Sequence, residues 1–111
     1  MEEQWPEYLK HIGKSSVKMQ QANPDMIKAF QDMKSATHSN DVIDNKTKEL
    51  IAIAVSVAHQ CDGCIAAHAR QAKLAGATRE EVGAAIQVAM TVAAGGAFVY
   101  GSKVFDAFDQ F

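Results

Sequence analysis

Cysteine is scarce in this chain, with two among 111 residues, which excludes a disulfide-dense scaffold held together by crosslinks. Proline is equally scarce at two residues, and aromatics make up 7%. No run alternates apolar and polar residues at strand length, and no hairpin dipeptide separates two such runs, so a β-sandwich or barrel is not expected. Charge of one sign is lacking too: eleven basic residues against thirteen acidic ones leave a net charge of -2. A nucleic-acid partner, or binding to an anionic membrane, would call for a basic surface that is not there. The opening residues MEEQWPEYLK carry acids and no basic segment followed by an apolar run, so a cytoplasmic location is expected. The most apolar stretches, 50–58 and 82–100, are interrupted by Ser56, Gln87, Thr91 and the pair Gly95 and Gly96. Neither is read as a lipid-spanning helix, and no membrane partner is expected.

What is present is helical patterning in a chain of single-domain length, taken as one domain over 1–111. Residues 4–20 place Trp5, Tyr8, Leu9, Ile12, Val17 and Met19 at roughly helical spacing, with a break expected at Gly13. Asn23 before Pro24 reads as a capped helix start, followed by an apolar stripe to about Ala36. Residues 37–45 are polar and read as a loop, after which Asp44 or Asn45 caps a helix over 46–59. A further helix runs from Asp62 or Gly63 to Ala75 and stops at Gly76. Thr78 and Glu81 form a capping box for a helix over 79–94. Gly95 and Gly96 are expected to break the chain before a last helix bearing Phe98, Phe105 and Phe108. The fold class is therefore all-α, with about six helices. The Ala- and Gly-rich stretch 82–101 is apolar on more than one face, more than a small subunit can cover, which predicts a homo-oligomer. Met19, Met26, Met33 and Met90 read as core or interface filler, Tyr100 as a packed aromatic, and His11 and His38 as surface residues.

Both cysteines are spent on one segment, CDGCIAAH, at Cys61 and Cys64. A CxxC pair closes a small disulfide ring with little rearrangement, and a helix start lowers a thiol pKa because the thiolate faces the positive end of the helix dipole. At roughly 100° per residue, Cys64 and His68 lie about 40° apart on the helix surface. An imidazole there accepts a thiol proton and, once charged, stabilises the thiolate. Cys64 has the adjacent base and Cys61 the position nearer the dipole end, which slightly favours Cys64 for attack on a peroxide. Glu49 is the one acid inside the preceding helix, and from there it is placed to orient His68 or to relay its proton.

Glu49, then Cys61 and Cys64, then His68 resembles the signature of the alkylhydroperoxidase AhpD family, within the carboxymuconolactone decarboxylase superfamily. The resemblance covers about 44–94. It implies an all-α fold assembled as dimers, trimers or hexamers, with thiol-dependent peroxidase or disulfide reductase activity. On the same ground Cys61 and Cys64 would be the redox pair, and Glu49 and His68 the proton relay. One position departs: AhpD has a histidine just before its second cysteine, where this chain has Gly63. The relay would be shorter here, or His59 would partly substitute. The decarboxylase branch of the superfamily lacks this CxxC, so decarboxylation is the weaker transfer.

With no Gly-rich loop following a strand, no nicotinamide or flavin site is read, no haem is indicated, and no cofactor is expected. Electrons for re-reduction would then come from an external thiol reductant, and the substrate would be a hydroperoxide or a disulfide. The competing reading is a metal-binding helical oligomer that uses His59, Cys61, Cys64 and His68 as four donors suited to Zn²⁺. Its weakness is geometric, because a compact run across one helix boundary encloses a metal poorly.

Overall fold

A computed structural model of the chain describes residues 4–111 and is entirely helical between its turns. Helix α1 spans Trp5–Ala22 with Pro6 in its first turn, where a missing N–H costs nothing. Gly13 does not break it: the ladder runs through, and the Ser16 hydroxyl donates to the Gly13 carbonyl at 2.7 Å. Helix α2 spans Pro24–Ser39 and so extends three residues beyond the expected end. Asn23 does not cap it with its side chain. Its backbone N–H instead donates to the Met19 carbonyl at 2.8 Å, and its amide donates to the Met19 sulfur at 3.3 Å, so Asn23 closes α1 while Pro24 opens α2.

Helix α3, Asn45–His59, begins at Asp44, whose carboxylate accepts the Thr47 N–H at 2.8 Å. That hydrogen bond holds the Asp44 carboxyl below its ordinary range. Lys48, one turn further on, donates its ammonium to the carbonyls of Thr37, at 2.9 Å, and of Asn40. A cation thus meets the negative end of α2 and ties it to α3. Helix α4 spans Asp62–Leu74, and α5 spans Arg79–Asp109, opened by the expected capping box in which the Thr78 hydroxyl accepts from Glu81 N and the Glu81 carboxylate from Thr78 N. Lys46 bridges α3 to this box, 2.9 Å from Glu81.

Five helices therefore stand among the described residues, not six, because Gly95 and Gly96 leave α5 unbroken for 31 residues. Glycine costs a helix interior roughly 1 kcal/mol against alanine but keeps its N–H, so a long cooperative ladder absorbs two of them where it would not absorb proline. By length and composition α5 is consequently long and apolar enough to cross a membrane, where an interruption was expected.

α3 is the centre, packed against α4 on one side and α5 on the other, while α1 rests on α4 and α2. The buried positions are few and small: Ile53, Ala66, Ala72 and Ala89, with Glu49 and Ser56. Small residues let α3 and its neighbours approach closely, but they leave Met26, Phe30 and Met33 of α2 and Phe98, Phe105 and Phe108 of α5 exposed. Tyr100, expected to be packed, is exposed with the Lys103 ammonium 4.5 Å from its ring centroid. The four methionines named above are exposed as well, which removes the core reading and leaves the interface one.

Candidate functional site

The junction of α3 and α4 positions the site. Gln60 takes the left-handed conformation, φ 53°, and the chain closes there with Cys61 N donating to Ser56 O and Gln60 N to Val57 O, each at 3.1 Å. This paired closure stops a helix within one residue and turns the chain sharply. Gly76 ends α4 in the same way at φ 85°, as the sequence predicts, whereas nothing in a glutamine signals it.

The turn delivers Cys61 to the cap of α4. Its sulfur accepts the Cys64 backbone N–H at 3.2 Å, so Cys61 occupies the anion-favouring position at the helix start. Cys61 and Cys64 are joined as a disulfide, S–S 2.06 Å, and the structure describes the oxidised pair. One turn along α4, His68 Nδ1 lies 2.8 Å from Glu49 Oε2. With an ionised carboxylate as the acceptor, the tautomer that carries its proton on Nδ1 donates in this contact and keeps the Nε2 lone pair free. Glu49 is 7% exposed and His68 is partly open, so the acid is fixed in the α3–α4 seam while the imidazole reaches outward. The structure thus brings Glu49 to His68, and both to the helix of Cys61 and Cys64.

Gly63 is contacted from α1. A Cβ at this position would meet Ile12 Cδ1 at 3.2 Å, so a larger residue would make the end of that side chain give by a few tenths of an ångström. His59 sits exposed in the last turn of α3. Among the described residues no three His, Cys, Asp or Glu side chains are grouped as metal ligands are, with Cys61 and Cys64 joined as a disulfide.

A model of the carboxymuconolactone decarboxylase family matches residues 24–107. The chain belongs to that family. An uncharacterised protein of Haemophilus influenzae is 41% identical over 68 residues, 61% of this chain and 60% of that protein's length. An uncharacterised Cupriavidus necator protein is 32% identical over 101 residues, 91% of this chain and 89% of the other. Among solved structures, the apo form of a carboxymuconolactone decarboxylase family protein from Legionella pneumophila superposes with a TM-score of 0.76 at 31% identity, covering 97% of this chain and 96% of that one. A protein from Methanobacterium thermoautotrophicum gives 0.69 at 35% identity, covering 74% of this chain and 94% of the other. For the carboxymuconolactone decarboxylase family, then, the all-α fold holds over nearly the whole chain, and the disulfide-bonded CxxC lies within the matched region.

Proposed function

We propose that this protein is a thiol-dependent oxidoreductase that reduces a hydroperoxide or a disulfide through Cys61 and Cys64, with Glu49 and His68 as its proton relay. The observation that carries the reading is the 2.8 Å contact of His68 Nδ1 with the buried Glu49, His68 lying one turn along α4 from Cys64 and Cys61 capping that helix. In the dithiol state His68 takes the Cys64 proton, and the thiolate attacks the outer oxygen of the hydroperoxide. The O–O bond breaks, the sulfur becomes a sulfenic acid, and the alkoxide collects the proton held by His68 to leave as an alcohol. Cys61, stabilised as a thiolate at the helix cap, then attacks the Cys64 sulfur. The S–O bond breaks, the disulfide forms, and hydroxide leaves with a proton as water. A dithiol carrier reduces the pair by thiol–disulfide exchange and is itself oxidised to a disulfide.

The reading implies a reducing compartment such as the cytoplasm, an external thiol reductant and assembly of several copies. Its test is peroxide consumption in the presence of dithiothreitol. Wild type is expected to turn over and Cys64→Ser to be inactive; undiminished turnover by a Cys61→Ser, Cys64→Ser double variant would overturn the assignment.

A further inference from the structure

The seam between α1 and α4 opens into a groove of about 760 Å³, a volume within the usual range of small-ligand sites. Trp5 and Leu9 of α1 and Ile65 of α4 line it, each half-buried, so the groove offers an apolar trough that neither helix fills. Its charge is of one sign. Lys10, Arg70 and Lys73 border it, and none of its described lining residues is acidic. Lys10 has Glu7 4.0 Å away, whereas Arg70 and Lys73, three residues apart on α4, make no ion pair among the described residues. From Ile65 to Lys73 the helix advances about 12 Å, so the trough is long and narrow rather than round. On α4, Arg70 and Lys73 point away from Cys64 and His68 by more than a right angle, at about 100° per residue, so the groove is separate from the thiol site.

We infer that the α1–α4 groove binds a free fatty acid of about eight to twelve carbons, the alkyl length that its axial run of about 12 Å accommodates. The carboxylate sits between Arg70 and Lys73, and the chain lies along Trp5, Leu9 and Ile65. Both halves of the ligand are needed to match both halves of the groove. An uncharged hydrocarbon would leave the two cations unused, and a small polar anion would bury none of the apolar trough. A guanidinium presents paired donors to a single carboxylate, and the ammonium of Lys73 adds a second, freely rotating donor beside it. The alkyl stems of both side chains can lie over the bound chain while their heads stay in water. The inference does not depend on the redox reading, since the groove includes none of Glu49, Cys61, Cys64 and His68.

Emission from Trp5, the one tryptophan of the chain, reports occupancy from inside the groove. Wild type is titrated with decanoate below its micelle concentration, with hexanoate, and with decyltrimethylammonium, which carries the same chain on a cation. Decanoate is expected to give a saturable, one-site blue shift. Hexanoate should bind at least tenfold more weakly, since each lost methylene weakens binding by about two- to fourfold, and decyltrimethylammonium should give no saturable shift. Arg70→Glu/Lys73→Glu should weaken decanoate at least tenfold and gain binding of decyltrimethylammonium. The three titrations of wild type keep the test decisive if that variant fails to fold. No saturable shift with decanoate, equal affinity for the anion and the cation, or an undiminished decanoate affinity in a folded variant would overturn the inference. Two other occupants have their own signatures, and either would overturn it as well: a fall in mass by light scattering as decanoate binds would mean that a second copy holds the groove, and flotation with phosphatidylglycerol vesicles without binding of free decanoate would mean a membrane surface.

Discussion

With Nδ1 committed to Glu49, His68 has one ring nitrogen left for a thiol proton, and its loss should affect chemistry far more than fold. His68→Ala is expected to lower peroxide turnover by roughly 10²- to 10⁴-fold near neutral pH, the usual range for a removed general base. Thiolate absorbance against pH checks the cause: the reactive thiol should titrate at higher pH in the variant, and superimposable curves would take His68 out of the mechanism. Cys61→Ser should leave a trappable sulfenic acid at Cys64 after one equivalent of peroxide, seen as a 16 Da mass gain corresponding to one oxygen. Spacing puts Cys64 and His68 on one helix face and leaves Glu49 as the one acid inside the preceding helix; that Glu49 reaches His68 was not legible in periodicity and came from the family resemblance, and the structure sets the two 2.8 Å apart. The contact of Ile12 was not legible either, because no periodicity in α1 shows which residue will meet a glycine fifty positions on. Gln60 was hidden for a different reason: glutamine has no preference for the left-handed region, and the paired closure of α3 imposes it. Replacing it with glycine should raise stability by about 0.5–1 kcal/mol, measured by denaturant unfolding.

At the level of elements, the caps and stops carried most of the prediction. Asp44, Pro24, Gly76 and the Thr78–Glu81 box all mark ends where the sequence puts them, because each satisfies or forgoes particular backbone groups. The glycine pair misled because flexibility was read as a break, although a helix stops only when something competes for its hydrogen bonds. Gly95→Ala/Gly96→Ala should accordingly raise helicity by circular dichroism, with a gain of about 1–2 kcal/mol if the tail face tolerates the methyl groups. The α3–α5 brace has a pH signature. The hydrogen bond from Lys46, then that from Thr78 N, holds the Glu81 carboxyl below its ordinary range, and Glu81 holds Lys46 above its own. A lowered carboxyl contributes stability above its unfolded value and loses it as pH falls through the folded one; a raised ammonium contributes below its unfolded value and loses it as pH rises through the folded one. Glu81→Gln should therefore flatten the loss of stability in acid below the ordinary carboxylate range and at alkaline pH above the ordinary lysine range. Both ends are partly open to solvent, so raising the salt concentration should shrink the effect.

The whole chain is more extended than its length requires. Its radius of gyration is 17.9 Å, against about 13 Å for a compact domain of this size. Few side chains are buried among the described residues and many large apolar ones are not, which is consistent with the proposed assembly of copies. Its melting temperature should rise with protein concentration, and a value constant over a hundredfold range would count against assembly. The sequence showed the excess apolar surface but not where it would face, since that depends on α5 staying in one piece. The central claim is that Cys61 and Cys64 cycle between dithiol and disulfide with His68 and Glu49 handling the proton. The most direct measurement is peroxide-driven loss of free thiols, followed against pH in wild type and Glu49→Gln after full reduction. The account predicts two thiols lost per peroxide, with the rate in the variant reduced at least tenfold near neutrality and recovering as pH rises toward free thiol ionisation. Thiols that stay free under excess peroxide, or identical rates and pH profiles in the two proteins, would contradict it.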